Sequence, residues 1–336
     1  MGKRVSLKDI AGKVGVSTAL VSYVLNGLEK EKRVGPEIVK KIREVVGELN
    51  YKPNQIARSL RRGTTNTIGL IVADIANPFF GQLARIIEDE AGKHNYTVII
   101  GSSDENHHKS ASLIDTFLDR QVDGFIIVPS EGCDEEIKEL VRKEVPVVLL
   151  DRYFPEISTN YIVLNNYKAT YEAVSHFLTR GYKQIALIVY KSALIHMQER
   201  VRGYRQAMND NHNTANIQVK ELLYNRVKED MEKGISELLD SNNKPDALLF
   251  ATNALSISGM YAIKNHNIQV PQEMAVIGFD GNEAFDFFYS PLTYIEQPIE
   301  EMGKESIRIL LDQIKGSKNI EHIELQHQLI QRESCG

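Results

Sequence analysis

Several polar residues stand directly after apolar runs. Asp74 follows "TIGLIV" (67–72) and precedes Asn77-Pro78-Phe79-Phe80. Ser102, Ser103 and Asp104 follow "YTVII" (96–100), and Ser130 follows "GFIIV" (124–128). Asp151 and Arg152 follow "VPVVLL" (145–150), Thr252 and Asn253 follow "ALLF" (247–250), and Asp280 follows "AVIGF" (275–279). Carboxylates and amides pair with vicinal hydroxyls, and an arginine adds a fixed fork of donors. A ring such as Phe79 can cover the apolar face of a sugar. The set suits a polyhydroxylated ligand. Each residue also fits a helix cap after a strand, Asp74 and Ser102 in particular.

Other chemistry finds little support. There is no phosphate loop, no G-x-G-x-x-G after a strand, no G-x-S-x-G elbow and no H-E-x-x-H. His107 and His108 are adjacent at an expected helix start and read as exposed polar residues. Cys133 and Cys335 have neither metal-type spacing nor a histidine neighbour in sequence. The expectation is a protein that is not an enzyme, with no cofactor and no metal.

The elements that must position these groups follow from the same runs, to which "IALIV" (185–189) adds another. Helical segments such as "FFGQLARIIEDEAGKHN" and "DTFLDRQV" separate most of them. Continuously apolar strands alternating with helices imply parallel sheets covered on both faces. About 270 residues lie beyond position 66, which suits two lobes better than one. In open parallel sheets ligands bind beyond the carboxyl ends of the strands. Two facing lobes would gather the polar groups into one crevice.

The amino-terminal part differs in charge and pattern. Residues 1–62 hold 14 Lys and Arg against 6 Asp and Glu, whereas the remainder holds 26 against 39. A basic module joined to an acidic body points to a polyanionic partner. Ser6 with Asp9 forms a capping-box pattern ahead of Leu7, Ile10, Ala11 and Val14. Gly15 permits a turn, Ser17 caps a second helix bearing Leu20, Val21, Val24 and Leu25, and Asn26-Gly27 ends it. Two short helices about a glycine turn make a helix-turn-helix. A third helix from Pro36 to Leu49 would add Ile38, Ile42, Val45 and Val46 to the core and point Lys40, Lys41 and Arg43 outward. Asn54 can cap a short helix from Gln55 to Arg61 with Ile56, Ala57 and Leu60 on one side and arginines on the other. Such a helix is too short to be stable alone and could fold on binding.

"SLKDIAGKVGVSTALVSYVLNG", then "LNYKPNQIARSLRRGTTNTIGLIVADIANPFF", and finally "LIQRESCG" resemble the lactose/galactose repressor family of bacterial regulators over essentially the whole chain. The resemblance implies that Ser6, Leu7, Ser17, Ser22, Asn26 and Asn54 hold DNA phosphates. It implies that Thr18, Ala19 and Tyr23 read base edges in the major groove. Ala57 and Leu60 fall in the family's hinge helix, whose leucine enters the minor groove and bends the duplex. Two positions depart from the family pattern: Leu20 stands where threonine is usual, and Tyr23 where arginine is usual. A tyrosine offers one hydroxyl where arginine offers a bidentate fork. In the body, Arg200, Asn253 and Asp280 match ligand-contact positions, while Ala254 replaces the family's common aspartate.

The implied fold class is an α-helical helix-turn-helix headpiece plus an α/β two-lobed, periplasmic-binding-protein-like (type I) body with parallel sheets. The expected domains are a headpiece (1–50), a hinge helix and linker (51–65), an N-terminal lobe (66–164 and 293–324) and a C-terminal lobe (165–292 and 325–336). Chain crossovers are placed near 164, 292 and 324. The implied effector-binding set is Asp74, Phe79, Ser102, Asp104, Asp151, Arg152, Arg200, Asn253 and Asp280. The expected partners are double-stranded operator DNA, a small effector of the sugar class, and a second copy of the chain, since two headpieces on half-sites need two-fold symmetry. No apolar run reaches membrane-span length and the amino terminus lacks a signal-peptide core, so a cytoplasmic repressor of carbohydrate-utilisation genes is expected. Two alternatives stay open. One is a sugar-binding receptor without DNA function, which the basic headpiece argues against. The other is a catabolite-control regulator that uses a protein co-regulator.

Overall fold

The computed structural model describes residues 5–51 and 64–336, which fall into two compact units divided between Thr65 and Asn66. In the smaller unit the local signals fold as the sequence predicts. Asp9 N–H donates to Ser6 Oγ (3.4 Å) and Ser6 N–H to Asp9 Oδ2 (2.8 Å), which starts α1 (Leu7–Val14). Gly15, at φ 81°, ends that helix in the left-handed conformation that glycine adopts without a Cβ penalty. Ser17 Oγ accepts Leu20 N–H at 3.3 Å and opens α2 (Thr18–Leu25). Pro36 begins α3 (Pro36–Glu48), where its missing N–H costs nothing. Ile10, Ala11, Val14, Val21, Val24, Val39, Ile42 and Val45 form the core. Ile38 is 37% exposed, and Val39 takes the place expected for it. Both fit a stripe centred on Ile42, and only packing against α1 and α2 selects between them. The expected short helix with Asn54, Ala57 and Leu60 lies outside the described residues.

The larger unit holds two six-stranded sheets. The first contains β1 (Thr67–Val72), β2 (Thr97–Ser102), β3 (Gly124–Ile127), β4 (Val147–Leu150), β5 (Asn160–Leu164) and β11 (His322–Leu325), in the order β11-β5-β4-β3-β1-β2. The second contains β6 (Ile185–Tyr190), β7 (Gln218–Leu222), β8 (Ala247–Phe250), β9 (Ala275–Phe279), β10 (Thr293–Glu296) and β12 (Gln328–Ile330), in the order β12-β10-β9-β8-β6-β7. Apart from β11 and β12, the five strands of each sheet repeat one topology. All pairings are parallel except β10 with β12, which departs from purely parallel sheets.

Helices cover both faces, which explains why the central strands are apolar at every position. In the first sheet Leu70, Val72 and Val148 face α4 (Pro78–Lys93) and α12 (Ile299–Ile314). Ile71, Phe125 and Leu149 face α5 (His107–Asp119) and α6 (Asp134–Arg142). The second sheet carries α7 (Asn166–Thr179), α8 (Ile195–Asp210), α9 (Val227–Leu239), α10 (Asn253–Asn265) and the short α11 (Glu283–Phe287) about one continuous core.

The chain passes between the sheets after β5, after β10 and after β11. The second passage therefore comes after Glu296 rather than at 292. Thr293, Tyr294 and Ile295 pair with Ile277, Gly278 and Phe279, so this strand extends the second sheet before the chain returns to the first.

Candidate functional site

Between the carboxyl ends of the two sheets lies a crevice enclosing about 150 Å³. Two aspartates reach it by the same local device. Asp151 follows β4, and its N–H donates to Ile162 O of the neighbouring strand at 2.9 Å. Asp280 follows β9, and its N–H donates to Ile295 O at 2.9 Å. Each thus completes a ladder bond and then turns left-handed, at φ 65° and 60°. Aspartate tolerates that conformation better than most residues. Both side chains end up buried.

Two arginines complete the buried centre. Arg152 is 7% exposed and donates to Glu105 through both terminal nitrogens (2.7 and 2.6 Å), to Asp151 Oδ2 (3.3 Å) and to Pro129 O (3.2 Å). Arg200 lies on the inward face of α8 with His196. Gly203, one turn further on, allows close approach: a Cβ there would meet Tyr167 O of α7 at 2.2 Å. Arg200 Nε donates to Asn166 Oδ1 at 2.7 Å, Nη1 to Ala251 O, and the guanidinium lies 3.7 Å from the Phe279 ring centroid.

Burial sets the ionisation of the centre. It pushes the Asp280 carboxyl up to about 6, against the opposing pull of Arg200 and the hydrogen bond from Gln297 Nε2 at 2.7 Å. It also raises Asp151, which Arg152 partly offsets. Burial, then the charges of Arg152 and Arg200, hold His196 well below its ordinary value, so its imidazole is neutral near pH 7.

The sequence-predicted effector set divides. Asp74, Phe79, Asp151, Arg152, Arg200 and Asp280 line the crevice. Ser102 and Asp104 do not: Ser102 Oγ donates to Asp104 Oδ1 at 2.6 Å and accepts Ile75 N–H at 3.1 Å, and Asp104 is exposed and paired with Lys109. The left-handed turn at Asp104 and Glu105 brings Glu105 to the crevice instead. Asn253 is buried behind the wall and donates to Asp280 O at 2.8 Å, leaving its neighbours Thr252 and Ala254 at the surface of the crevice. Sequence reasoning missed Glu105, Glu131, Tyr190, His196, Tyr224 and Gln297. Glu105 was readable as the residue after Asp104, and His196 as one turn before Arg200. Gln297 carried no local signal.

In the smaller unit Ser17, Thr18, Ala19 and Asn26 are exposed, and Ser22 and Tyr23 are half-buried. The exposed side of α2 carries no charge. Several of its polar groups already have local partners: Asn26 Nδ2 donates to Ser22 O (2.7 Å) and Ser22 Oγ (3.3 Å). Ser6, exposed, is held in its capping box, and Leu7 is half-buried. Leu20 packs against the core, an apolar role that accounts for leucine at that place. Arg43 is paired with Glu29 at 2.8 Å and Lys13 with Glu48 at 2.8 Å.

Residues 6–54 match the bacterial regulatory proteins of the lacI family, and residues 174–335 match the periplasmic binding protein-like domain. The HTH-type transcriptional regulator RegA of Clostridium saccharobutylicum is 32% identical, over 98% of each chain. The chain belongs to the lacI family. It is a DNA-binding transcription regulator under ligand control, in a family of regulators rather than enzymes. The lac repressor dimer bound to operator and the anti-inducer ONPF shares the fold, with a TM-score of 0.87 at 24% identity over 99% of each chain. A lacI-family regulator from Enterococcus faecium with bound ribose has a TM-score of 0.70 at 26% identity, over 80% of this chain and 98% of that one. Among the described residues, no helix is long and apolar enough to cross a membrane, and no cluster of three metal-ligating side chains occurs.

Proposed function

We propose that this lacI-family member is a homodimeric, cytoplasmic repressor that reads an operator through α2 and is controlled by an uncharged sugar in the crevice. The carrying observation is the buried group of Asp151, Arg152, Arg200 and Asp280 around a space of about 150 Å³. A cavity of that size holds about one benzene-sized molecule, the scale of a single sugar ring. Phe79, Phe80 and Tyr190 supply apolar surface, and the carboxylates supply hydroxyl acceptors. Charge selects among sugars. The walls carry Asp74, Glu105, Glu131, Asp151 and Asp280 against Arg152, Arg200 and Lys191, and Arg152 is already engaged by Glu105 and Asp151. A phosphate would meet net negative charge. The ribose held by the Enterococcus relative agrees with a neutral ligand.

On the DNA side, Ser6, Leu7, Ser17, Ser22 and Asn26 would position the headpiece on phosphates, exchanging their local partners for the backbone. Thr18, Ala19 and Tyr23 would meet bases. Residues 51–65, with Asn54, Ala57 and Leu60, would form the hinge that couples crevice to headpiece.

A thermal-shift series on the full-length protein tests the ligand. Ribose, glucose and other neutral monosaccharides should include one that raises the melting temperature by mass action. Ribose 5-phosphate and hypoxanthine should not, and a shift with either one alone would overturn the uncharged-sugar reading. Selection from random duplexes at several salt concentrations tests the operator. A specific palindrome is expected, and binding equal for all sequences would refute sequence-specific control.

A further inference from the structure

The three chain crossings tie together β5 and β11 at one edge of the first sheet and β10 and β12 at the matching edge of the second. At the other side of the crevice, among the described residues, the lobes are joined only by hydrogen bonds that involve side chains. Tyr224, in the turn after β7, donates its hydroxyl to Asp74 Oδ2 at 2.9 Å; Asp74 follows β1. Glu131, after β3, accepts Ser192 Oγ–H at 3.0 Å and Ala193 N–H at 3.2 Å, both after β6. Tyr224 is braced from below by Tyr190, ring centroids 5.3 Å apart. Asp74 is itself fixed, its Oδ1 accepting Ala76 N–H at 2.9 Å.

We propose that these two contacts are a latch that holds the lobes closed before any ligand binds, with Tyr224 and Glu131 as its working residues. All three hydrogen bonds are accepted by a carboxylate, the stronger class of hydrogen bond. They sit opposite the hinge, where opening separates the lobes most. No other hydrogen bond or ion pair among the described residues joins the lobes on this side of the crevice. A ligand must therefore wait for the latch to open, and a ligand hydroxyl at Asp74 meets a carboxylate already accepting from Tyr224 and from Ala76 N–H. The latch thus sets how much of the ligand's binding energy is spent on a change of lobe angle.

The latch is independent of the sugar reading and is tested without ligand. Spin labels at Asp115→Cys on α5 and Lys228→Cys on α9, both exposed, report the lobe separation in full-length protein by pulsed electron resonance. The native Cys133 and Cys335 are buried and take no label. Excess unlabelled protein keeps each labelled chain to its own pair. The parent should give one short distance. Tyr224→Phe with Glu131→Gln should raise the population at longer distance about tenfold. Tyr224→Phe alone, which removes one oxygen from an exposed side chain, carries the test should the double variant melt early. Identical distance distributions in parent and variants, or a parent already mostly open, would overturn the latch.

Discussion

The headpiece and the crevice satisfy their polar groups in opposite ways. Among the headpiece groups expected to meet DNA the partners are three or four residues apart, Ser6 with Asp9, Ser17 with Leu20 and Ser22 with Asn26, whereas the ion pairs Lys13–Glu48 and Arg43–Glu29 link more distant positions. In the crevice they are far apart in sequence: Arg152 with Glu105, Arg200 with Ala251, Asn253 with Asp280, Tyr224 with Asp74. Local bonds leave a surface that can trade partners with DNA at small cost. Long-range bonds build a buried charge network in which each member depends on the others, because an unpaired buried charge is expensive.

The largest expected effect tests that dependence. Arg152→Ala leaves Glu105 and Asp151 without their cation and should destabilise the body by about 3–5 kcal/mol. Urea melts measure it, and a loss below about 1 kcal/mol would mean that the crevice is no more cooperative than the surface.

Asp280 gives a smaller effect with a pH signature. Its raised pKa means that the folded state holds a proton that the unfolded state releases between the usual carboxylate range and about 6. Its contribution to stability therefore falls as pH rises through that window. Ligand binding runs the other way, since the ionised carboxylate accepts hydroxyls. Affinity for a neutral sugar should rise between pH 5 and 7 with a midpoint near about 6. Asp280→Asn should lower affinity about tenfold at pH 7.5 and flatten the profile. Burial and the two arginines hold His196 well below its ordinary value, so it should contribute less than Asp280 to this profile. Calorimetric titration at several pH values decides, and a profile that survives Asp280→Asn would move the titrating group elsewhere.

On the headpiece, Tyr23→Ala should cost roughly 1–2 kcal/mol of operator binding and leave non-specific binding almost unchanged. An equal loss on both duplexes would return Tyr23 to a purely structural role. The smallest effect is expected for Asp104→Asn. Its partners Ser102 and Lys109 lie outside the crevice, and the ion pair is exposed, so ligand affinity should stay within about twofold. A larger change would restore Asp104 to the ligand site.

How much was legible follows from the same contrast. The capping box, the glycine turn and the Pro36 start were readable because each acts within one helical turn. The central strands were readable from unbroken apolar runs. β5, β7, β10, β11 and β12 were not, since these edge or near-edge strands are short or mix polar with apolar residues. The aspartates beyond β4 and β9 were found because position after a strand is a sequence property. Glu131 and Tyr224 were not, because their partners lie in the other lobe.

By itself, then, the sequence determined the helix-turn-helix, the doubled parallel architecture, and the kind of chemistry gathered at the strand ends. Tertiary structure decided which of those groups face the crevice. It turned Asp104 outward and Glu105 inward, placed Asn253 behind the wall, and set Glu131 and Tyr224 across the mouth. The reason is physical: caps and apolar periodicity act over a few residues. The direction of a carboxylate in the crevice depends on partners tens to more than a hundred positions away, in its own lobe for Glu105 with Arg152 and in the other lobe for Asp74 with Tyr224.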